Sequence, residues 1–373
     1  KVTLTGTNQA GIYAGWNSEI NIDGSDADVT GSNGIYGCYS GVTNINPNMD
    51  IPGKVTLTGT GDKGIYFVQN SVVNINGSDV IVTGYNNAVF GWDGGKVNIN
   101  QTMASPGKVT LTGTNGAGIY ASESAKVKIK GSEVDITGQS GGVTAQYMAD
   151  VDIVGSDVEI TANGENVSAV YLYDQDGTGT SIGSNGGTIE INKDKTTGST
   201  KISGASAVNV AAATSSATFG GASTEIVGTN PTFCAVNNKG TINFNSVNET
   251  KITGSVKNSG SINFNSAKTV FGGNVMLDGT GTVTQKAGSN FSVASTLIGA
   301  DTNDPNKALF QNVTSDTQLS GFNSGILTIT GTVSEDKYYV LVAGTAVDGT
   351  NLTTTDLWGI GNIKFDTLIM AEY

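Results

Sequence analysis

Short runs of alternating apolar and polar residues recur along the first half of the chain. In each run a small or branched apolar residue is followed two positions later by a second apolar residue, and a period of two directs both to one face of a β-strand. We therefore predict a half-buried strand at every copy. The first column reads Val2, Ala27, Val55, Val80, Val109, Val134 and Val158, and the second reads Leu4, Val29, Leu57, Val82, Leu111, Ile136 and Ile160.

Each copy continues into two further alternating runs before the next copy begins, and the whole unit is about 25 residues long, a period typical of solenoids. The last run places an isoleucine inward and an asparagine outward. We predict an all-β, right-handed parallel β-helix with three short strands per rung, about twelve rungs and a rise of about 4.8 Å per rung. The isoleucines are Ile22, Ile45, Ile75, Ile99, Ile129 and Ile153, and the asparagines are Asn21, Asn44, Asn74 and Asn98.

The heptapeptide KVTLTGT occurs three times, starting at Lys1, Lys54 and Lys108, which is every second unit. The units between these copies start with an acidic residue. Opposite charges on neighbouring strands attract and like charges repel. The alternation therefore predicts a stacked charge column in which two rungs form the true repeat. The column reads Lys1, Asp26, Lys54, Asp79, Lys108 and Glu133.

The regular pattern extends over residues 1–192 and a looser version extends over 193–318, where TINFNS at Thr241 and SINFNS at Ser261 predict a shorter rung. From 319 to 373 the pattern changes. GILTITG (325–331) and KYYVLVAG (337–344) flank an acidic turn and predict a hairpin, with two short strands after it. We interpret residues 319–373 as a cap that covers the open edge of the last rung.

A β-helix followed by this LTITG and KYYVLVAG pattern resembles the passenger domain of Gram-negative autotransporters of the pertactin-like kind. The resemblance implies that the cap acts as a folding nucleus during secretion. It also implies cell-surface display, either anchored at the outer membrane or released, with membrane contact only through a β-barrel beyond Tyr373. Because Lys1 already lies inside a repeat, we expect the natural chain to start earlier.

The composition excludes several chemistries. The chain has no His and no Arg, so all 19 basic residues are Lys, and a Ser-His-Asp triad, a Cys-His pair or a His-ligated metal is excluded within it. A net charge of −13 argues against nucleic acid as a partner. Cys38 and Cys234 have no CxxC partner and lie about eight rungs apart, so we predict two free thiols and neither a metal nor a cofactor.

A column of aromatic residues follows the middle run of each unit and is the candidate ligand-binding surface. Rings arranged along a groove can bind the faces of sugars or a protein partner. The alternative is that the rings only stabilise the sheet. The candidate residues are Tyr13, Tyr36, Tyr66, Phe90, Trp92 and Tyr120.

Three further patterns are weaker. A threonine follows each Leu, Val or Ile of the second column, as in the threonine arrays of ice-binding β-helices. The outward position two residues before each threonine varies too much for a regular ice-binding lattice. We therefore interpret the threonines as residues that favour strands and stack from rung to rung. DQDGTG around Asp174 and Asp176, and DTND at 301–304, resemble fragments of Ca²⁺ loops without the bidentate Glu. Asp28, Asp135 and Glu159 face outward but form no obvious pair for glycoside hydrolysis.

The sequence favours a non-enzymatic adhesin or structural spacer, secreted or displayed on the cell surface. Its expected partner is a host or bacterial surface glycan or protein, or a second copy of the chain. A carbohydrate-active β-helix enzyme or tailspike-like depolymerase is the first alternative and would need a cleft with converging acids. A self-associating surface filament or biofilm protein is the second and would use the Thr and Asn faces.

Overall fold

The computed structural model describes residues 1–24, 26–47, 52–173, 186–300, 305–322, 326–334, 338–343 and 363–369. The chain winds through three parallel sheets in turn, and each turn adds one strand to each sheet. The predicted fold class, an all-β parallel β-helix, is confirmed. Over the residues that the structure describes, the second and third sheets each have 12 strands, in agreement with the predicted number of rungs.

The first sheet contains the strands that begin each unit, and it has 14 strands in its described part. Their bounds are Val2–Thr5, Ala27–Gly31, Val55–Gly59, Asp79–Gly84, Lys108–Gly113, Glu133–Gly138, Asp157–Ala162, Ser199–Gly204, Ser223–Gly228, Glu249–Thr253, Lys268–Phe271, Asn290–Ala294, Leu327–Ser334 and Ile363–Ile369.

The second sheet carries the aromatic column on its outer face. Its strands are Ile12–Ala14, Ile35–Gly37, Ile65–Phe67, Val89–Gly91, Ala117–Ala121, Gly141–Gln146, Ser168–Tyr173, Ser206–Val210, Val236–Asn238, Val256–Asn258, Val275–Leu277 and Phe310–Gln311.

The third sheet closes each rung. Its strands are Glu19–Ile22, Val42–Ile45, Val72–Ile75, Lys96–Ile99, Lys126–Lys130, Asp150–Val154, Thr188–Ile191, Ser216–Phe219, Thr241–Phe244, Ser261–Phe264, Thr282–Gln285 and Leu319–Ser320. Short helical turns occur only late in the described chain, at Ser295–Ile298, Pro305–Lys307 and Asp316–Gln318.

Strand register places the predicted columns on top of one another. Val80 pairs with Val55 and Val109, and Ile75 pairs with Ile45 and Ile99. These side chains are buried from the second rung onward, whereas Val2, Leu4 and Ile22 of the first rung are half-buried. Because the register stacks inward residues on equivalent residues of neighbouring rungs, the buried apolar side chains form one hydrophobic cluster inside the rod.

The connection between the second and third sheets is a two-residue turn that recurs rung after rung with both residues at positive φ. Trp16 and Asn17 have φ of 53° and 58°, and the Ser18 amide donates to the Gly15 carbonyl at 3.0 Å, as in a type I′ turn. The second turn residue also donates its amide to the first turn residue of the next rung, for example Asn17 to the Tyr39 carbonyl at 3.0 Å. These bonds keep the turns stacked.

The predicted charge column is in register, since Asp79 pairs with Lys108. Its ion pairs differ in part from the prediction. Lys108 Nζ lies 2.7 Å from Glu133 Oε1 in the same column, but Lys1 Nζ lies 2.6 Å from Asp28 Oδ2 instead of contacting Asp26. A long lysine side chain therefore reaches the outward carboxylate within the next strand as well as the one at its start.

A second charge ladder was not predicted. Glu159, Lys201, Glu225 and Lys251 pair in register along the first sheet, with Nζ–Oε1 distances of 2.9 Å for Lys201–Glu159 and 2.8 Å for Lys251–Glu225. The strands of Glu159 and Lys201 are consecutive in the sheet although 42 residues separate them in the chain. This long insertion hides the alternation when the sequence is read at a period of about 25 residues.

The rungs after residue 193 fill the core differently. Phenylalanines stack inside the rod, with ring centroids 5.6 Å apart for Phe219–Phe244 and 5.1 Å apart for Phe244–Phe264. The valine column of the first sheet becomes threonine, and each hydroxyl is satisfied, as in Thr250 Oγ1 to Ser266 Oγ at 2.5 Å. Buried hydroxyls are tolerated where they have partners.

The predicted hairpin at 325–344 is wrong for the described residues. Leu327–Ser334 continues the first sheet and pairs in parallel with Asn290–Ala294 and Ile363–Ile369. Tyr338–Tyr339 pairs antiparallel with Gly299–Ala300. The parallel edge of the preceding rung is available to the apolar LTIT run, so that run extends the solenoid sheet, and the Tyr-Tyr segment covers a different edge.

Candidate ligand-binding surface

The aromatic column lies on the outer face of the second sheet, one ring per rung over the first five rungs. Register pairs join Tyr13 to Tyr36, Tyr36 to Tyr66, Tyr66 to Phe90 and Phe90 to Tyr120. Each ring is the middle residue of a strand segment whose flanking residues point into the core, and alternation therefore turns it outward. Five of the six predicted site residues are brought together in this way.

Neighbouring rings are in contact and alternate between two geometries. The Tyr36–Tyr66 and Phe90–Tyr120 pairs are stacked, with centroids 4.8 and 5.0 Å apart. The Tyr13–Tyr36 and Tyr66–Phe90 pairs meet edge to face at 5.4 Å in both cases. Both geometries are favourable for aromatic pairs, and each contributes about 0.5–1.5 kcal/mol beyond burial. The column is therefore a continuous aromatic strip along the rod.

The strip is partly exposed and has a polar wall. Tyr13 is 51% exposed and the other rings are half-buried. Beside Tyr13 and Tyr36 lies a groove of about 240 Å³, whose polar lining comes from the turns that precede the second sheet. Amide and hydroxyl groups next to an aromatic floor match the alternating polar and apolar surfaces of a sugar. These lining residues are Asn8, Gln9, Ser32 and Asn33.

Lys63 covers the centre of the strip, which the sequence analysis did not anticipate. Its Nζ lies 4.9 Å from the centroid of Tyr66 and 5.0 Å from that of Phe90, a cation–π arrangement over two rings. The ammonium also pairs with Asp62, and Asn86 Nδ2 donates to Asp62 Oδ1 at 2.8 Å. A ligand of the strip must therefore pack beside Lys63 or displace it.

Trp92 does not belong to the strip. It precedes the stacked turn, two residues after Phe90, and is 44% exposed, whereas its register equivalents Cys38 and Val68 are buried. The exposed aromatic pair next to the strip is instead Trp16 and Tyr39, whose rings stack at 4.2 Å on consecutive turns. The sequence spacing of this pair from Tyr13 and Tyr36 was visible, but the positive-φ turn that stacks them was not.

Burial raises the pKa of two tyrosine hydroxyls in the strip, those of Tyr36 and Tyr66. It raises the pKa of Tyr36 from 10.0 to about 12, with smaller contributions from Cys38 and Tyr66. Burial is also the main reason that the pKa of Tyr66 is raised, and the Asp62 carboxylate adds to this effect. At neutral pH the strip is therefore uncharged apart from Lys63 and Asp62, which suits a neutral ligand.

The strip changes character after Tyr120. Thr144 follows in register and is buried, and Tyr171 follows Thr144. The hydroxyl oxygens of Tyr120 and Tyr173 lie 3.4 Å apart although their rungs are not adjacent. Tyr120 and Tyr173 therefore meet across the rung that carries Thr144. At this end, the aromatic surface no longer has one ring stacked on the next in every rung.

The predicted outward asparagines form a hydrogen-bonded ladder on the third sheet. Asn44 Nδ2 donates to Asn21 Oδ1 at 2.8 Å, Asn74 to Asn44 at 2.7 Å and Asn98 to Asn74 at 2.8 Å. A shallow trough of about 400 Å³ lies over this ladder. Since each amide uses donors and acceptors along the rod, the ladder is first of all a stabilising element.

The outward acids that were considered for glycoside hydrolysis, Asp28, Asp135 and Glu159, all form ion pairs with lysines. Asp135 Oδ2 lies 2.6 Å from Lys108 Nζ, and Glu159 pairs with Lys201 as part of the second ladder. Within the described ranges, no cluster of three or more His, Cys, Asp or Glu could hold a metal ion. The loop fragments at Asp174 and Asp176 and at 301–304 lie outside the described residues.

Both cysteines are free, as predicted, with Cys38 buried and Cys234 partly exposed. In the part of the chain that the structure describes, no helix has the length and apolar character to cross a membrane. Comparisons with protein-family models, with curated proteins and with solved structures gave no match.

Proposed function

We propose that the chain is a non-enzymatic, secreted or surface-displayed β-helical rod that acts as an adhesin and binds a neutral glycan through the aromatic strip. The observation that supports this is the contact column of Tyr13, Tyr36, Tyr66, Phe90 and Tyr120, which is half-exposed along one face beside a polar groove. Exposed apolar patches that are rimmed by polar groups often mark binding sites.

A neutral glycan fits this surface better than a charged ligand. The strip presents ring faces and amides, and the charges of the half-buried ion pair between Lys63 and Asp62 neutralise each other. The chain carries a net charge of −13, which repels anionic partners at long range. Contact between a ring face and the apolar face of a sugar needs no charge. Surface display follows from the resemblance to autotransporter passengers and remains part of the proposal.

A matched pair of variants tests the proposal. Replacing Tyr36, Tyr66 and Phe90 together by Thr removes three rings from consecutive rungs, and Thr is a good strand former that preserves the sheet. We expect this variant to keep its circular dichroism spectrum and to lose binding to the neutral glycans that the parent retains on a glycan array. The matched control changes the third-sheet ladder in the same rungs, with Asn44, Asn74 and Asn98 replaced by Thr.

Lys63→Ala gives a companion measurement, because it uncovers the rings of Tyr66 and Phe90. We expect it to strengthen glycan binding severalfold. If the triple ring variant binds as the parent does, or if the asparagine control loses binding instead, the strip is a structural element and the proposal is wrong. A parent that binds no glycan but sediments as a concentration-dependent polymer would favour the self-associating alternative.

A further inference from the structure

A second groove lies further along the outer face of the second sheet, beyond the aromatic strip. It has a volume of about 530 Å³, within the range of small-molecule sites. It extends over several rungs, from the strand that begins at Ser168 to the turn at Asp278. The side chains that give it its chemistry are Asn209, Phe233, Asn237, Lys239, Lys257 and Asp278.

One wall of the groove is a loop held in place by its own hydrogen bonds. Asn230 Oδ1 accepts from the Thr232 amide at 3.0 Å, and the Phe233 amide donates to the Asn230 carbonyl at 3.1 Å. Asn230 Nδ2 also donates to the Glu165 carbonyl at 3.2 Å, which ties the loop to a different rung. The anchored loop leaves the Phe233 ring 39% exposed at the groove. Because the loop is held in place, the exposed face of the Phe233 ring can pack against a ligand in the groove.

The floor and the other end of the groove carry donors and positive charge. Asn237 Nδ2 donates to Asn209 Oδ1 at 3.2 Å, which leaves one N–H on the Asn237 amide and both N–H groups on the Asn209 amide for a ligand. Lys257 lies next to Asn237 in register, and its Nζ is 3.6 Å from Asp278 Oδ2, longer than an ordinary hydrogen bond. Lys239 forms no ion pair with any described residue. With two lysines and one carboxylate, the groove lining has an excess of one positive charge in a chain whose net charge is −13.

We propose that this groove binds a sugar that carries a carboxylate. The carboxylate pairs with the Lys257 and Lys239 ammonium groups, the amides of Asn209 and Asn237 bond to sugar hydroxyls, and the Phe233 ring packs against the sugar face. Charge-assisted hydrogen bonds to a carboxylate are about twice as strong as neutral ones, so the acid group dominates recognition. The many amides and hydroxyls of the lining favour a sugar over an acidic peptide. The groove does not depend on the aromatic strip for this role.

The experiment measures binding of two oligosaccharides that differ only at one terminal residue, glucuronate in one and glucose in the other, by calorimetry at low salt. We expect the glucuronate form to bind about tenfold or more tightly, as one or two charge-assisted bonds would give. Lys239→Gln combined with Lys257→Gln should remove this preference, and Lys96→Gln, an exposed lysine on the third sheet, should leave it unchanged.

Asp278→Asn separates this proposal from a purely structural role for the lysines. It removes the carboxylate that competes for Lys257, so the glucuronate oligosaccharide should bind severalfold more tightly. The proposal is overturned if the parent binds neither oligosaccharide, if it binds both equally, or if the double lysine variant retains the preference. Equal binding of a short glutamate peptide would also overturn it in favour of an acidic peptide. None of these results affects the aromatic strip, which the ring variants test separately.

Discussion

Replacing Val109 by Thr should be tolerated although Val109 is fully buried. Asn100 is also fully buried, and its Nδ2 has no hydrogen-bond partner among the described residues. An equivalent site shows what is missing, since Asn192 Nδ2 donates to Thr200 Oγ1 at 3.2 Å. The two sites match in their other contacts, because the Asn100 and Asn192 side-chain oxygens both accept a glycine amide of the preceding rung, at 2.8 and 2.9 Å.

The size of the effect follows from the two opposing contributions. Burying a hydroxyl without a hydrogen-bond partner lowers the free energy of unfolding by about 1–3 kcal/mol, whereas a hydrogen bond to that hydroxyl raises it by about 0.5–1.5 kcal/mol. Val134→Thr is the matched control, because Val134 pairs with Val109 in register, is equally buried and has no asparagine amide in the corresponding place. We expect Val134→Thr to lose about 1–3 kcal/mol and Val109→Thr to lose at least about 1 kcal/mol less.

Urea unfolding of the parent and both variants, followed by circular dichroism, measures this difference. The two substitutions are chemically identical and lie one rung apart, so any departure from two-state unfolding in a repeat protein affects both alike. Equal losses of unfolding free energy for the two variants would refute the reasoning, and so would a larger loss for Val109→Thr. Either result would mean that the orphaned Asn100 amide does not reach position 109.

Two further predictions concern pH. Burial raises the pKa of Asp152, Lys128 opposes this shift and the Glu190 carboxylate adds to it, so the charged carboxylate is disfavoured in the folded state. Asp152→Asn should therefore raise the melting temperature at pH 7. The gain should vanish below the unfolded pKa of about 3.8, where Asp152 is protonated in both states. An unchanged melting temperature at pH 7 would show that Lys128 compensates fully. Because the pKa of Tyr36 is raised from 10.0 to about 12, the folded state holds its proton more tightly than the unfolded state, and the free energy of unfolding should fall between pH 10 and 12. In urea titrations, the free energy of unfolding of Tyr36→Phe should fall less steeply with pH over that interval than that of the parent. Equal pH dependence of the two proteins would contradict the prediction.

The architecture was predictable because a solenoid repeats its local rules at every rung. Alternation placed Val109 and Leu111 inward, the period gave their partners in register, and the structure agrees. The hairpin at 325–344 was predicted from two neighbouring apolar runs and a turn. That reasoning ignored the exposed parallel edge of the preceding rung, which pairs with Leu327–Ser334 instead. Competition between a local turn and a distant edge cannot be decided from local sequence alone.

The candidate surface was only half predictable. Tyr36, Tyr66 and Phe90 share one position in each unit, so the column followed from the repeat. The cation over the rings did not, because Lys63 occurs once, in a turn, and its direction depends on packing. Trp92 is a candidate residue because it follows Phe90 by two positions, but the strand of Phe90 ends at Gly91 and the backbone then enters the positive-φ turn.

The most direct test of the aromatic strip is an NMR titration of its ring protons with a neutral oligosaccharide selected on the glycan array. We expect the ring resonances of Tyr36, Tyr66 and Phe90 to shift together and to saturate at one common affinity, because their rings form one contact column. The third-sheet amides of Asn44, Asn74 and Asn98 should stay unchanged. Shifts confined to the third-sheet ladder, or ring resonances that remain in place while the oligosaccharide binds, would show that the aromatic strip is not the binding surface.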